Sequence, residues 1–315
     1  MKKTILSLFL LIAFGSKAQQ AEEIDTVVPQ TYEYVVRNGK PLLLDVYSAP
    51  VPRSDSACVV YLFGGGFVNG SRTDKGVRVY CQRLAQLGFS VIAIDYRLHL
   101  REVDFDTVTL FGTRQIFNDA INITASDCAQ AIAFICKNAA EWGIAKDRIV
   151  LCGGSAGAIG VLQLDYCRAN SLAAASELPA GWRPAAVVAY AGAVYPDKGK
   201  PKYKTPPAPT FFLHGTVDKI VNYKKFPPLL RTANYGAKRL QKVFAKNKYP
   251  YWIFRYEGIG HEVASIYIYT ISEFCAFVDA TLKGRQMFYD ATVRDSKIVP
   301  TKWSKMGVIR LYKGN

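Results

Sequence analysis

Six short stretches of nearly unbroken apolar residues, at 58–63, 90–95, 149–152, 185–190, 210–213 and 252–256, recur along the chain with helix-length segments between them. A run of four to six apolar residues without alternation suits a strand covered on both faces, the condition of a parallel sheet flanked by helices. The intervening segments at 75–87, 127–142, 156–170, 228–246 and 262–282 have the length expected of those helices. Such alternation predicts an α/β fold with a mainly parallel sheet. Ahead of it, 31–36 and 42–47 flank Arg37-Asn38-Gly39-Lys40. Asn-Gly between two strand-like runs signals a hairpin, because both central residues of such a turn take positive φ. No internal repeat is visible, and 315 residues of which 50% are hydrophobic give ample material for a core. Segments 195–209 and 99–124 read as long surface loops near strand ends, where ligands collect in sheets of this kind.

The run at 149–152 leads into Gly153-Gly154-Ser155-Ala156-Gly157 and then into a helical stretch. Gly-x-Ser-x-Gly has a mechanical meaning in that context. A sharp strand-to-helix turn tolerates only residues without side chains two positions before and two after the serine, and it pushes the hydroxyl into the open. The backbone N–H of Ala156, at the helix start, points to the same spot. The alternatives are a glycine-rich packing turn, or a dinucleotide-binding Gly-x-Gly-x-x-Gly. The latter does not fit, because Ser155 occupies the place of its second glycine.

A serine hydroxyl is a poor nucleophile until an imidazole takes its proton. The chain holds three histidines, His99, His214 and His261. His261 follows a strand through the flexible Glu257-Gly258-Ile259-Gly260 and is the expected base. Asp218, one loop beyond the strand at 210–213, is placed to hold the His261 ring. His214 reads as a strand-end residue shaping that loop, and His99 as a loop residue of no assigned use. A zinc reading of His261-Glu262-Val263-Ala264-Ser265 fails, because Ser265 stands where the second histidine is required. Acyl chemistry further needs donors for a developing oxyanion. The run at 58–63 ends in Gly64-Gly65-Gly66, whose bare backbone can approach a ligand oxygen closely. A phosphate-cradling loop is the competitor, but no Gly-Lys-Ser/Thr follows.

Taken together, these segments resemble the α/β-hydrolase superfamily, in its esterase and lipase branch of carboxylesterases and carbohydrate acetyl or feruloyl esterases, over about 32–282. Asp95-Tyr96-Arg97-Leu98 closing a strand, Asp147-Arg148-Ile149 entering the next, and His214-Gly215 ahead of Asp218 and Val221 add to the likeness. The resemblance implies a mostly parallel central sheet led by an antiparallel hairpin, with helices on both faces. It implies Ser155 as nucleophile, Asp218 as orienting acid, His261 as base, and Gly65, Gly66 and Ala156 as the oxyanion hole. No metal or organic cofactor is implied. In one departure, Phe63 stands where the family's His-Gly-Gly-Gly begins, which puts the fine geometry of the loop in question. A prolyl-oligopeptidase-like peptidase and an inactive binding protein on the same fold are the rival readings. Ala156 and the short N-terminus argue against the first, and the presence of all three catalytic residue types against the second.

At the N-terminus, Lys2 and Lys3 precede an apolar stretch over 5–14 and then Ser16-Lys17-Ala18. This is the pattern of a secretory signal peptide, expected over 1–18, and an uncleaved anchor is the alternative. A hydrolase domain is then expected over 19–283, with a basic extension over 284–315. Export to the periplasm or the exterior makes nucleic acid a poor partner for a chain of formal charge +15; the resemblance, together with export, implies a small-molecule or glycan ester as substrate. The excess is local: Lys198, Lys200, Lys202 and Lys204 form one cluster, and Lys238, Arg239, Lys242, Lys246 and Lys248 another. Each is most simply a solvated face, although the first could favour an acidic polysaccharide. Phe67, Phe105, Phe111, Phe117 and Tyr195 lie in segments expected to border the pocket. Seven cysteines show no zinc spacing and are expected to be structural, with Cys128–Cys136 or Cys81–Cys167 open as pairs.

Overall fold

The computed structural model describes residues 27–224, 234–285, 287–307 and 311–312. The expected signal peptide and the start of the helix expected at 228–246 lie outside the described residues. The hairpin forms as expected, with β1 (Gln30–Arg37) antiparallel to β2 (Lys40–Tyr47), and Asn38 and Gly39 taking φ of 51° and 70°. Next come β3 (Cys58–Leu62), α1 (Lys75–Gln86), β4 (Ser90–Ile94), α2 (Leu110–Asn138), β5 (Ile149–Gly154) and α3 (Ala156–Asn170). They are followed by β6 (Ala186–Tyr190), β7 (Ala193–Val194), β8 (Thr210–Gly215), β9 (Tyr235–Gly236) and α4 (Ala237–Asn247). The chain continues through β10 (Tyr251–Tyr256), α5 (Ile271–Leu282), β11 (Phe288–Val293) and α6 (Lys302–Lys305).

Nine strands form one sheet in the order β1-β2-β4-β3-β5-β6-β8-β10-β11. The β1–β2 and β2–β4 pairs are antiparallel and every other pair is parallel. Every residue of β3, β5, β6 and β8 is buried, the outcome their unbroken apolar runs require. On one face α1 and α5 meet, with the Phe274 ring 6.3 Å from that of Tyr80 and 6.0 Å from that of Phe89. On the other, α3 packs beside α2, and α4 lies against β8 and β10. Asp127, on α2 and fully buried, accepts from the Arg97 amide (2.9 Å) and guanidinium (2.7 Å). Removing one partner of such a pair costs about 3–5 kcal/mol.

Two expectations need correction. The segment 99–124 is a loop only as far as Thr109, whose hydroxyl caps the Gly112 amide (3.1 Å) and starts α2 there, so Phe117 is helical. The side chain of Phe111 falls outside the described residues. The segment 262–282 is not one helix: two 3-10 turns, His261–Ser265 and Tyr267–Thr270, precede α5. The first turn presses the Ala264 carbonyl onto Gly154, where a Cβ would approach within 2.4 Å, so contact with the β5 turn overrides the local periodicity. The extension supplies β11, a ninth strand beside β10, and Arg255 pairs with Asp290 across them. All seven cysteines are free, and six are buried.

Candidate active site

The β5–α3 turn sets the geometry. Ser155 takes φ 52° and ψ −119°, a conformation that L-residues rarely adopt. The flanking glycines have the predicted steric cause. A Cβ on Gly157 would lie 2.1 Å from the Leu62 carbonyl oxygen, and one on Gly153 would lie 2.5 Å from the carbonyl carbon of Gly157. The serine is thereby held at the C-terminal end of the central strand, ahead of α3.

The structure brings Ser155, Asp218 and His261 together from three separate segments. Ser155 Oγ lies 2.7 Å from His261 Nε2, and His261 Nδ1 lies 2.8 Å from Asp218 Oδ2. With its proton on Nδ1, the ring donates to the carboxylate and leaves Nε2 to accept from the serine hydroxyl. The other oxygen, Asp218 Oδ1, accepts from the amides of Ile220 (2.9 Å) and Val221 (3.0 Å). Burial alone would push the Asp218 carboxyl up. The charge of His261 and hydrogen bonds from His214 and His261 outweigh it and hold the carboxyl well below the usual carboxylate range.

His214 shapes the acid loop as expected from its position. It is fully buried, donates from Nε2 to the Val221 carbonyl (2.8 Å), and stands 3.4 Å from Asp218 Oδ2. His99 is exposed and away from these contacts.

The glycine loop after β3 abuts the serine, since a Cβ on Gly64 would sit 3.2 Å from Ser155 Cβ. The Gly65 carbonyl accepts from the amides of Val68 (3.1 Å) and Asn69 (2.9 Å), which orients the peptide plane carrying the Gly66 N–H. Among the described residues the Gly65 and Gly66 amides have no acceptor. The Ala156 amide opens α3, where the first turn has none within the helix. Phe63, in place of the family's histidine, stacks on Tyr96 at 4.5 Å, and its carbonyl accepts from the Tyr96 hydroxyl (2.8 Å). Of the expected border aromatics, Phe67 and Phe105 are buried. The Tyr195 hydroxyl is pushed up to about 12 by burial, despite a hydrogen bond from Asn234 and with Asp218 nearby.

Two residues near the site carry no signal in the sequence reading. Glu262 and Tyr312 meet the site through the C-terminal extension, and only long-range contacts reveal them. No group of three or more potential metal ligands is found among the described residues, and none of their helices is long and apolar enough to cross a membrane.

An arrangement of this kind can deprotonate a hydroxyl and offer N–H donors beside it. The BD-FAE family model matches residues 44–163. No curated protein matches the chain in sequence. A thermophilic esterase of the planctomycete Thermogutta terrifontis, with butyrate bound, superposes at a TM-score of 0.56 and 19% identity, covering 81% of this chain and 95% of that one. Its propionate-bound form gives 0.55 at 19% identity and the same coverage. The esterase phosphorylated by paraoxon gives 0.54 at 18%, with 80% and 95% covered. The fold of these neighbours, that of the α/β-hydrolases, is the fold of this chain.

Proposed function

From this fold and the geometry of its site, we propose that the protein is an exported serine hydrolase that cleaves carboxylic esters through an acyl-enzyme, with acylated glycans as its substrates. The observation that carries this reading is the unbroken hydrogen-bonded chain from Ser155 through His261 to Asp218, on a turn that thrusts the serine forward. Ser155 attacks the ester carbonyl while His261 takes its proton, and buried Asp218 stabilises the imidazolium that forms. The N–H groups of Gly65, Gly66 and Ala156 receive the negative charge on the former carbonyl oxygen. His261 then protonates the leaving alcohol, and later takes a proton from the water that releases the acid. The esterase neighbours, solved with butyrate and propionate, support an ester as the substrate class. The basic, apolar, small-residue pattern over 1–18 supports export.

Labelling with a serine-reactive fluorophosphonate tests the mechanism. The full chain should label and Ser155→Ala should not; equal labelling of the two would end the proposal. Turnover on short and long nitrophenyl esters, acetyl-xylan, methyl ferulate and a proline-containing dipeptide amide then separates glycan esterase from small-ester esterase and peptidase.

One observation favours an acidic glycan in particular. The two basic clusters, far apart in sequence, converge on a single cleft of about 500 Å³ lined by Lys200, Lys202, Arg239, Lys242 and Lys246 with Tyr203 among its walls. None of these five cations carries an ion pair among the described residues. Unpaired cations beside an aromatic ring suit a sugar polymer bearing carboxylates.

A further inference from the structure

The C-terminal extension touches the catalytic apparatus at two points. The first is Glu262, the residue after His261. Its Oε1 accepts from the Thr301 amide (2.6 Å) and hydroxyl (2.7 Å) and from the Ser304 amide (2.9 Å). Its Oε2 accepts from the Ser304 hydroxyl (2.8 Å) and the Gly260 amide (3.0 Å). Five donors on one carboxylate bind the extension to both neighbours of His261. The fit is close, for a Cβ on Gly260 would lie 2.4 Å from Ser304 Cα.

The second point is Tyr312. Its hydroxyl donates to the Gly66 carbonyl at 2.9 Å, and a Cβ on Gly66 would lie 3.0 Å from that oxygen. The Gly65 carbonyl is already held by its own turn, so Tyr312 secures the next peptide plane of the same loop. Its ring stands 5.1 Å from that of Phe105 and 4.8 Å from that of Phe117, two of the aromatics expected to border the pocket.

We propose that the extension is a clasp on the active site. Glu262 acts as a positioning residue for His261 and the Tyr312 hydroxyl as one for the Gly65–Gly66 loop, while the Tyr312 ring, with Phe105 and Phe117, limits the size of ester admitted. The basic tail then serves the reaction itself. This rests on the serine-esterase reading above. A loop bearing oxyanion donors must be held within tenths of an ångström, because a misplacement of about 1 Å costs roughly a hundredfold in rate.

The test uses the full chain with Glu262→Gln, Tyr312→Phe, Tyr312→Ala and, as a control on the same extension, Lys305→Ala. Melting temperature, kcat and KM are measured on nitrophenyl acetate, butyrate and octanoate. Tyr312→Phe, which keeps the ring, is expected to lower kcat about tenfold with KM within twofold and the melting temperature unchanged. Tyr312→Ala should show the same loss and also shift preference toward the longer chains. Glu262→Gln should lower kcat in the manner of Tyr312→Phe, and Lys305→Ala should behave as wild type. Wild-type kcat in Tyr312→Phe, or an unchanged chain-length preference in Tyr312→Ala, overturns the inference while leaving the esterase reading intact. So does a kcat loss that merely tracks lost stability. Should Glu262→Gln fail to fold, the Tyr312 pair decides. A wild-type chain that hydrolyses none of the three esters sinks both readings.

Discussion

Replacing Ser155 by glycine should make the protein more stable than replacing it by alanine, although both variants are inactive. At φ 52° and ψ −119°, the serine Cβ is held in a conformation that costs on the order of 1–3 kcal/mol for a residue with a side chain. Alanine keeps that Cβ and therefore keeps the strain. Glycine releases it but gains freedom in the unfolded chain, which takes back about 0.5–1 kcal/mol. Both substitutions lose the 2.7 Å contact to His261 Nε2, so that loss cancels in the comparison. The difference should be about 1 kcal/mol in favour of glycine. For a domain of this size that corresponds to a melting temperature higher by about 2 °C, with a matching rise in urea midpoint. Far-UV circular dichroism of the two variants in parallel is sufficient. A glycine variant no more stable than the alanine variant would show that the turn carries no strain and that the open placement of the serine has another cause.

Four other outcomes follow from the structure. Asp218→Asn should lower kcat by about 10⁴ by removing the group that holds the His261 tautomer, measured on nitrophenyl acetate. Asp218 also has a depressed carboxyl, so it contributes stability above the ordinary carboxylate pKa and loses it as pH falls toward the folded value. The gap in urea midpoint between wild type and Asp218→Asn should accordingly hold from pH 7 to about 5 and narrow below about 4. Gly157→Ala places a Cβ 2.1 Å from the Leu62 carbonyl and should destabilise the fold by about 3 kcal/mol, seen as an early urea transition; wild-type stability would show that the turn can open. Lys242→Ala combined with Lys246→Ala should reduce any preference for acetylated pectin over a neutral ester at low salt, and about 1 M salt should abolish that preference in the wild type. A preference indifferent to both would remove the basic cleft from substrate recognition.

The sheet was legible because burial on two faces imposes unbroken apolar runs, and those runs stand in the sequence at β3, β4, β5, β6 and β8, while β10 shows a similar run though it is only half buried. The β5–α3 turn was legible for a similar reason. Its glycines are demanded by contacts within a few residues and with one neighbouring strand, so the motif carries its own geometry. With three histidines in the chain, the candidates for a partner to Ser155 were few, and loop position singled out His261. What local pattern could not supply came from contacts between distant segments. The 262–282 stretch has the length of one helix, yet it breaks into short turns because Ala264 must sit on Gly154. Two lysine clusters that each look like an ordinary solvated face become one cleft only when the 200–203 loop folds beside α4. The extension looked like a charged tail, because Thr301, Ser304 and Tyr312 have no periodicity and find their partners 39 to 246 residues away. Sequence by itself determined the elements whose causes are local: strands, helix starts and the serine turn. The tertiary structure alone decided which loops meet, since a hydrogen bond between remote residues leaves no spacing to read in either of them.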